Sequence, residues 1–390
     1  MFSIILSILC FIVLVPVLTF SLQCFLSFLP AAKGKRHSGR RPRVAALIPA
    51  HNEANEIANT LRDTLGQQAE GDRVLVIADN CSDNTAEIAK QFGADVTVRN
   101  NTELLGKSHA LRHGLETLAN DPPDVVIVVD ADCRMSSNSF EALGTMAAEL
   151  GRPVQAKYIF GGKQGSAASN LASSFTLWFK NHIRPLGSAR IGMPCQLTGS
   201  GMAFPWHTLQ QVDVDNQNLA EDTELGVQMT LAGFPPFYCA AAEVDGAVPK
   251  AWDTLVKQRR RWEQGYLDTM FRNAPKLLYQ SITKFSPALL WSALDLLIPP
   301  LALLGMLWFV LFFVSGISVV AGGSSLPLYM LSIGAVLIGA SILLGWFVHC
   351  RKDVELKSLA AIPWFIVRKV SIYASLLFKR EKQWLKTDRD

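Results

Sequence analysis

Long apolar runs flank a more polar central region in this chain of 390 residues. The first run extends from Phe2 to Leu29 without a charged side chain, and at about 1.5 Å of rise per helical residue it could cross a hydrocarbon core of about 30 Å. Six of the eleven residues from Lys33 to Arg43 are Lys or Arg. Because basic flanks stay on the cytoplasmic side, this pattern predicts a membrane anchor followed by a cytoplasmic region. A cleaved secretory signal is the alternative, but its positive charges would precede the apolar run.

Two further apolar runs predict a transmembrane hairpin near the C-terminus. They extend from Ala288 to Ala321 and from Leu326 to Val348, and Asp295 is their one charged residue. Pro299 and Pro300 stand where a spanning helix could begin, because proline is tolerated in a first turn. Asp295 would then lie near the cytoplasmic interface, as a snorkelling or capping carboxylate rather than an intramembrane functional group.

The stretch from Leu359 to Phe378 is apolar enough to span, but Arg368 and Lys369 lie in its middle and a basic tail follows it. Spanning would export that tail to the far side of the membrane. An amphipathic helix in the interface would keep the tail inside, so we expect an interfacial helix here.

Short β-branched runs alternate with helical patterns in the central region. Three runs are typical of buried parallel strands, at Val44–Ile48, Val74–Ala78 and Val125–Val129. The alternation predicts an α/β fold with an open, doubly wound sheet, in which ligands bind beyond the carboxyl ends of the strands. The helical patterns cover Asn55 to Leu65, Asn84 to Phe92, Lys107 to Leu118 and Ser139 to Leu150.

Composition excludes several classes of protein. With 49% apolar residues, 18% charged residues and a mean hydropathy of +0.22, the chain is neither disordered, nor collagenous, nor a small disulfide scaffold. Its seven cysteines are scattered and never form Cys-x-x-Cys, which indicates reduced thiols in a cytosolic compartment. The net charge of +4 is too small for a nucleic-acid-binding surface, so no nucleic-acid partner is expected.

Polar residues follow each predicted strand at the edge where a ligand would bind. Singly, each could be a helix cap or a turn residue. Asp130 and Asp132 could together hold a hard divalent cation, Mg²⁺ or Mn²⁺, that takes phosphate oxygens as further ligands. The three polar segments are Pro49-Ala50-His51-Asn52-Glu53, Asp79-Asn80-Cys81-Ser82-Asp83-Asn84 and Asp130-Ala131-Asp132.

Two later segments carry further candidate chemistry. Glu221 and Asp222 precede a helical pattern, where acidic residues also occur simply because they favour a helix N-terminus. Gln258, Arg261 and Trp262 have the spacing that places side chains on one face of a helix. That helix could be a basic interfacial helix with Trp262 in an aromatic belt, or it could place Arg261 on a phosphate and Trp262 against a sugar ring.

Taken together, these motifs resemble the family 2 glycosyltransferases, specifically the membrane-embedded branch that includes cellulose and hyaluronan synthases and many bacterial exopolysaccharide enzymes. The resemblance covers about half of the chain, from Val44 to Tyr266, and Ala220 departs from it where Thr is usual before Glu-Asp. The matching strings are Ile48 to Glu53, Asp79 to Thr85, Gly106 to Leu111, Asp130-Ala131-Asp132, Thr198 to Gly201, Glu221-Asp222 and the Gln-x-x-Arg-Trp of Gln258, Arg261 and Trp262.

The resemblance implies a GT-A fold, with a mainly parallel mixed sheet and helices on both faces, that uses a nucleotide-diphosphate sugar. Asp222 would be the general base, and Asp130 and Asp132 the metal ligands. The implied donor-binding residues are Pro49, His51, Glu53, Asp79, Lys107, Asp130 and Arg261, and the implied acceptor-binding residues are Gly199, Ser200, Gly201, Glu221, Gln258 and Trp262.

The predicted organisation combines this catalytic region with the membrane segments. The predicted regions are an anchor at 1–30, a basic cytosolic linker at 31–43, the GT-A domain at 44–250, interfacial helices with Gln-x-x-Arg-Trp at 251–286, the transmembrane hairpin at 287–349, and an interfacial helix with a basic tail at 350–390.

The function expected is a multi-pass inverting hexosyltransferase of the plasma membrane with a cytoplasmic catalytic domain. It would move a sugar from a UDP-sugar to a lipid-linked or polysaccharide acceptor in cell-surface or exopolysaccharide synthesis, because three spans are few for a secretion channel. Membrane lipids are expected partners, and the oligomeric state is left open. A processive polysaccharide synthase is one alternative, and a non-catalytic scaffold subunit that binds sugar nucleotides is another.

Overall fold

The computed structural model divides the chain into two compact units. The first comprises Met1–Ala31, Lys163–Met193 and Tyr266–Glu381, and the second comprises Ala32–Gly162, Pro194–Gly265 and Lys382–Asp390. The structure describes residues 1–31, 40–160, 175–215, 218–247, 252–355, 366–367, 369–370 and 373, and the side chains within 252–257 are not described. The predicted interfacial helix at 359–378 therefore lies almost entirely outside the described residues.

An eight-stranded mixed sheet forms the centre of the second unit. Its strands are β1 (Val44–Ala50), β2 (Arg73–Asp79), β3 (Asp95–Arg99), β4 (Val125–Val128), β5 (Cys133–Met135), β6 (Val154–Phe160), β7 (Met202–Pro205) and β8 (Phe237–Gly246). Their order across the sheet is β3-β2-β1-β4-β7-β6-β8-β5. The strands β1 to β4 pair in parallel, whereas β7 runs antiparallel to both β4 and β6. The three predicted strands and the mixed α/β sheet are confirmed.

Helices cover both faces of this sheet because alternate residues of each central strand point to opposite sides. Val44, Ala46 and Ile48 of β1 belong to the core on one face, and Ala45 and Leu47 belong to the core on the other. This explains why the strands are apolar throughout. The helices are Ile57–Leu65, Thr85–Gln91, Lys107–Leu118, Ser139–Leu150, Trp206–Leu209 and Glu221–Leu231, with Trp252–Thr283 beginning in this unit.

Among the described residues of the first unit, three helices are long and apolar enough to cross a membrane, namely Phe2–Leu26, Leu301–Val320 and Leu326–Cys350. The last of them ends in a π-helical turn, Trp346–Cys350. The predicted run from Ala288 to Ala321 is divided at Pro299 and Pro300 into Pro287–Leu296 and Leu301–Val320, as expected where two prolines interrupt helical hydrogen bonding. The π-helical turn Phe179–Ile183 and the helix Arg184–Arg190 also belong to this unit.

The prediction that Asp295 is a snorkelling or capping carboxylate is wrong, because this residue is buried and forms an ion pair with Arg184. Its Oδ1 accepts hydrogen bonds from Arg184 Nη2 and Gln23 Nε2, each at 2.6 Å. Arg184 Nε donates to Gln23 Oε1 at 2.8 Å, and all three residues are buried. The sequence pattern did not reveal the partner because Arg184 lies 111 residues away along the chain.

Candidate active site

The carboxyl ends of β1 and β2 meet through a network of side-chain and backbone hydrogen bonds. His51 Nδ1 donates to the Asp79 carbonyl at 2.7 Å, and Ser82 N donates to Asn52 Oδ1 at the same distance. The Glu53 amide donates to Thr85 Oγ1 at 2.9 Å. These bonds join the segments that follow β1 and β2, both of which the resemblance implies as donor-binding. Pro49 pairs with Ile77 in the sheet.

The Asp79 carboxylate is itself held by a basic side chain that the sequence analysis did not single out. Arg99 Nη1 donates to Asp79 Oδ1 at 2.6 Å, and Asn80 Nδ2 donates to the same oxygen at 3.1 Å. Arg99 ends β3, an edge strand whose mixed polarity gave no clear strand signal. The pair fixes the orientation of the Asp79 carboxylate at this end of the sheet.

Asp130 and Asp132 form an acidic group with Cys133 after β4, in which the possible ligand atoms lie within 4.8 Å of one another. Thr60 Oγ1 fixes this turn by donating to the carbonyls of Ala131 at 2.7 Å and Cys133 at 2.8 Å. Burial raises the pKa of the Cys133 thiol well above its ordinary value, so the thiol stays protonated. The group therefore offers a cation two carboxylates, which fits a hard ion such as Mg²⁺ or Mn²⁺.

Lys107 connects this acidic group to the loop of residues 199–201. Its Nζ forms an ion pair with Asp130 Oδ1 and donates to the Gly199 carbonyl at 2.6 Å. Burial by itself would lower the pKa of Lys107, but the attraction and hydrogen bond of Asp130, together with the charges of Glu221 and Asp222, raise the pKa above its ordinary value. The side chain is consequently a fixed positive charge beside the predicted diphosphate position.

The loop of residues 199–201 lies between Asp130 and Asp222. Gly199 has φ +98°, and a Cβ there would lie 3.3 Å from Asp222 Oδ2. Ser200 is fully buried, and its Oγ accepts a hydrogen bond from the Asp130 amide at 3.1 Å. Gly201 has φ +67°, and a Cβ there would meet Val244 Cγ2 at 2.7 Å. The lack of a side chain at Gly201 thus serves packing inside the protein, whereas at Gly199 it leaves room beside Asp222.

Glu221 and Asp222 occupy the first turn of the helix Glu221–Leu231. Asp222 Oδ1 accepts a hydrogen bond from the Thr223 amide at 2.7 Å. Burial and the neighbouring Asp222 charge raise the pKa of Glu221, against the opposing effects of Arg261 and Lys107. Lys107, Glu221 and Asp222 also line one small cavity, so the motif that contains Lys107 lies beside the Glu221-Asp222 motif.

The predicted Gln-x-x-Arg-Trp motif lies on one helix, Trp252–Thr283. The Trp262 ring packs near Phe160, with 6.0 Å between ring centroids, and Gln258 is half-buried on the same helix. Arg261 is close enough for its charge to lower the pKa of Glu221. The structure thereby places Arg261 of the motif near Glu221.

The sequence match then decides the family. Residues 42–265, more than half of the chain, match the model described as "Glycosyltransferase like family 2". The chain is a family 2 glycosyltransferase. This assignment confirms the resemblance drawn from the motifs and the predicted enzyme class.

Two curated relatives of this glycosyltransferase align over just over half of their own length. "Probable glycosyltransferase YdaM" of Bacillus subtilis (strain 168) is 28% identical over 248 residues, which cover 60% of the chain and 57% of the relative. "Poly-beta-1,6-N-acetyl-D-glucosamine synthase" of Staphylococcus aureus (strain MSSA476) is 25% identical over 240 residues, which cover 59% of the chain and 56% of the relative.

A solved structure shares the fold over nearly the whole chain. The mannosyltransferase PcManGT from Pyrobaculum calidifontis, in complex with GDP-Man and Mn²⁺, superimposes with a TM-score of 0.57 at 15% identity. The match covers 97% of the present glycosyltransferase and 99% of PcManGT. The predicted GT-A fold is confirmed.

Proposed function

We propose that this glycosyltransferase is membrane-anchored and transfers a hexose, with inversion, from a UDP-sugar to a lipid-linked or polysaccharide acceptor in cell-surface polysaccharide synthesis. One observation carries the proposal: Lys107 bonds both Asp130 and the Gly199 carbonyl, and the Gly199 backbone lies against the Asp222 carboxylate. A candidate donor site and a candidate base are therefore adjacent.

The donor would be held at the carboxyl ends of the central strands. Pro49, His51, Glu53 and Asp79 would contact the nucleoside, and Lys107 and Arg261 would neutralise the diphosphate. Asp130 and Asp132 would bind Mg²⁺ or Mn²⁺, and the bound cation would stabilise the charge that develops on the departing diphosphate. Ser200 would contribute by orienting Asp130, because it is buried and bonded to the Asp130 amide.

The acceptor would be held beside Asp222 by Gly199, Glu221, Gln258 and Trp262, while Ser200 and Gly201, which the resemblance also implies as acceptor-binding residues, would hold the loop in place from inside the protein. In the transfer step, Asp222 takes the proton of the acceptor hydroxyl while that oxygen forms a bond to the anomeric carbon. The bond from this carbon to the diphosphate oxygen breaks, and its electron pair leaves with the nucleoside diphosphate. A single displacement from the opposite face inverts the anomeric configuration.

The membrane arrangement belongs to the same proposal. In the part of the chain that the structure describes, three helices are long and apolar enough to cross a membrane, and the basic cluster after the first of them favours a cytoplasmic catalytic domain. We propose a multi-pass protein of the plasma membrane whose domains follow the boundaries predicted from the sequence. Membrane lipids would surround the apolar helices.

The test is turnover of the full chain in nanodiscs with a panel of UDP- and GDP-sugars and membrane-extracted acceptors. We expect nucleoside diphosphate release that requires Mg²⁺ or Mn²⁺ and falls by roughly 100-fold or more in Asp222→Asn, because general-base catalysis contributes about that much. The matched control is Asp121→Asn, an exposed carboxylate that pairs with Arg43. Equal turnover in the wild type and Asp222→Asn would remove Asp222 from the base role.

Processive synthesis is a second candidate, favoured by the similarity to the S. aureus poly-beta-1,6-N-acetyl-D-glucosamine synthase. Mass analysis of the product separates the two modes. Long polymer formed while most acceptor remains unused would support processive synthesis, and single additions spread over all acceptor molecules would support stepwise transfer.

A further inference from the structure

Gly265 lies where the helix Trp252–Thr283 contacts another backbone segment directly. A Cβ at this position would lie 2.5 Å from the Ala220 nitrogen, 2.7 Å from the Leu219 carbonyl carbon and 2.9 Å from Ala220 Cβ. Two of these three atoms are backbone, which cannot turn aside as the end of a side chain can. Only glycine therefore allows the helix to come this close to the segment 219–220.

This contact lies on the face of the helix that carries the motif. Gln258, Arg261, Trp262 and Gly265 are spaced at i, i+3, i+4 and i+7, which places them along one side of an α-helix. Gly265 thus continues the motif by about one turn. The contact fixes how deeply this side of the helix lies against its neighbour.

The segment that Gly265 touches leads straight into the proposed base. Ala220 precedes Glu221 and Asp222, and it is the N-cap residue of their helix. The Arg261 charge already acts on Glu221, which indicates that the two helices approach each other at this point. A displacement at Ala220 would change the position of Asp222 relative to Arg261 and Trp262.

A second glycine lies on the other side of Asp222. A Cβ at Gly199 would lie 3.3 Å from Asp222 Oδ2, so the absence of a side chain there leaves a small space, about the size of a methyl group, beside the carboxylate. A side chain at position 265 would displace Ala220, and Asp222 could not move far toward residues 199–201 in response. The placement of Asp222 therefore depends on the approach of Gly265 to Ala220 on one side and on the small space beside Gly199 on the other.

We propose that Gly265 is a positioning residue for the transfer step. Its missing side chain seats the Arg261-Trp262 face against Ala220 and so sets the geometry between that face and Asp222. This inference rests on the proposed function, because it takes Asp222 as the base. Gly265 itself touches neither donor nor acceptor.

The decisive variant is Gly265→Ala in the full chain. We expect turnover per folded molecule to fall by about tenfold or more, because a small misplacement of reacting groups has large kinetic effects. Binding of UDP with Mn²⁺, measured by calorimetry, should weaken by only about threefold or less, because Arg261 is the one proposed diphosphate-binding residue on the displaced helix and Asp130, Asp132 and Lys107 lie on other elements. A general structural defect would weaken binding and turnover together.

Two other helical glycines supply matched controls. A Cβ at Gly144 would meet Val44 Cγ2 at 2.7 Å, at the start of β1 and thus at the opposite end of that strand from the site. Gly144→Ala should lower the melting temperature while turnover per folded molecule stays within about twofold of wild type. Gly316 has nothing within 4 Å of a Cβ, so Gly316→Ala should change neither quantity.

The outcomes separate the positioning role from the proposed function. Turnover of Gly265→Ala within twofold of wild type, or a loss no larger than that of Gly144→Ala, would overturn the positioning role alone. A wild type without turnover on any donor would overturn the proposed function and the positioning role with it.

If Gly265→Ala does not accumulate as folded protein, Ala220→Gly loosens the same contact from the other side. We then expect turnover to fall about threefold with UDP binding retained, and unchanged turnover would refute the role.

Discussion

Glu221 and Asp222 place two carboxyl groups side by side in a partly enclosed position. Burial and the Asp222 charge both favour the protonated form of Glu221 and raise its pKa, while Arg261 and Lys107 act in the opposite direction. Neighbouring carboxyl groups with different environments can take different protonation states at one pH. The Glu221 carboxyl group therefore holds its proton to a higher pH than a free Glu side chain does.

Glu221→Gln tests this protonation through stability. A raised carboxyl pKa means that the folded state binds more protons than the unfolded state, so wild-type stability falls as pH rises from the ordinary Glu value through the raised one. The amide introduced by this substitution cannot ionise, so the variant should escape this loss. We expect the melting temperature of Glu221→Gln to match wild type near pH 4.5 and to exceed it by a few degrees at pH 8.

Thermal unfolding followed by tryptophan fluorescence provides the measurement. The same scan on Glu116→Gln, an exposed helical glutamate that pairs with Arg112, serves as the control. A difference between Glu221→Gln and wild type that does not grow with pH would contradict the raised pKa.

Several site residues could be predicted from the sequence, but their partners could not. Asp79, Asp130 and Lys107 stand out because polar residues follow apolar strands or begin a helix in a known order of motifs. Arg99 escaped notice because nothing in its local sequence marks it as the partner of Asp79, which is 20 residues away. Pairings between distant segments depend on the folded topology, which local patterns do not contain.

At the level of elements, the loop of residues 199–201 is constrained by the sheet as well as by the site. Gly201 combines φ +67° with contacts that a Cβ would make at 2.7 Å to Val244 and 2.8 Å to Ala156. Its amide donates to the Val128 carbonyl at 2.9 Å, and its carbonyl accepts from the Ala156 amide at 2.8 Å. The loop is therefore fastened to β4 and β6.

Gly201→Ala should consequently lower the free energy of unfolding more than an alanine at another glycine with positive φ does. Gly151 has φ +59° with nothing within 4 Å of a Cβ, so Gly151→Ala should cost only the conformational penalty of about 1–2 kcal/mol. Gly201→Ala should add an overpacking cost of about 1–3 kcal/mol. Chemical unfolding of both variants measures the difference, and equal costs would contradict the packing role.

The sequence predicted the central elements better than the flanking ones. The helices Lys107–Leu118 and Ser139–Leu150 have the predicted bounds, and the three predicted strands are present because their β-branched runs are buried on both faces. Strand β8 was missed because Phe237–Gly246 is rich in alanine, and β7 because it has only four residues. Their pairing with β6 is set by the sheet as a whole and not by local propensity.

At the level of the whole molecule, the first unit is held by a buried polar network as well as by apolar contacts. Gln23, Arg184 and Asp295 come from three separate segments and bond one another at 2.6–2.8 Å. Leu6, Cys10 and Leu331 form one of the apolar clusters of the same unit. A buried charge that loses its partner is costly, so the network ties the three segments to one arrangement.

Arg184→Met should therefore lower the free energy of unfolding by about 3–5 kcal/mol, because it leaves the Asp295 carboxylate buried without its cation. The double variant Arg184→Met with Asp295→Leu should recover part of that loss, since no buried charge remains and the remaining cost is the Gln23 amide that has lost both partners. Thermal unfolding in detergent, read by size-exclusion chromatography, compares them. Asp121→Asn, which breaks an exposed pair with Arg43, should cost about 0–1 kcal/mol. A double variant as unstable as the single one would argue against this account.

The order in which the chain is translated limits when the Gln23-Arg184-Asp295 network can form. Gln23 precedes Arg184 by 161 residues and Asp295 by 272 residues, so the ribosome delivers the amide first, the guanidinium second and the carboxylate last. Until Asp295 emerges, the nascent chain carries a cation whose counter-charge has not yet been translated. The network therefore cannot be completed until Asp295 has been translated, 272 residues after Gln23, and a ribosome stalled before residue 295 leaves it incomplete.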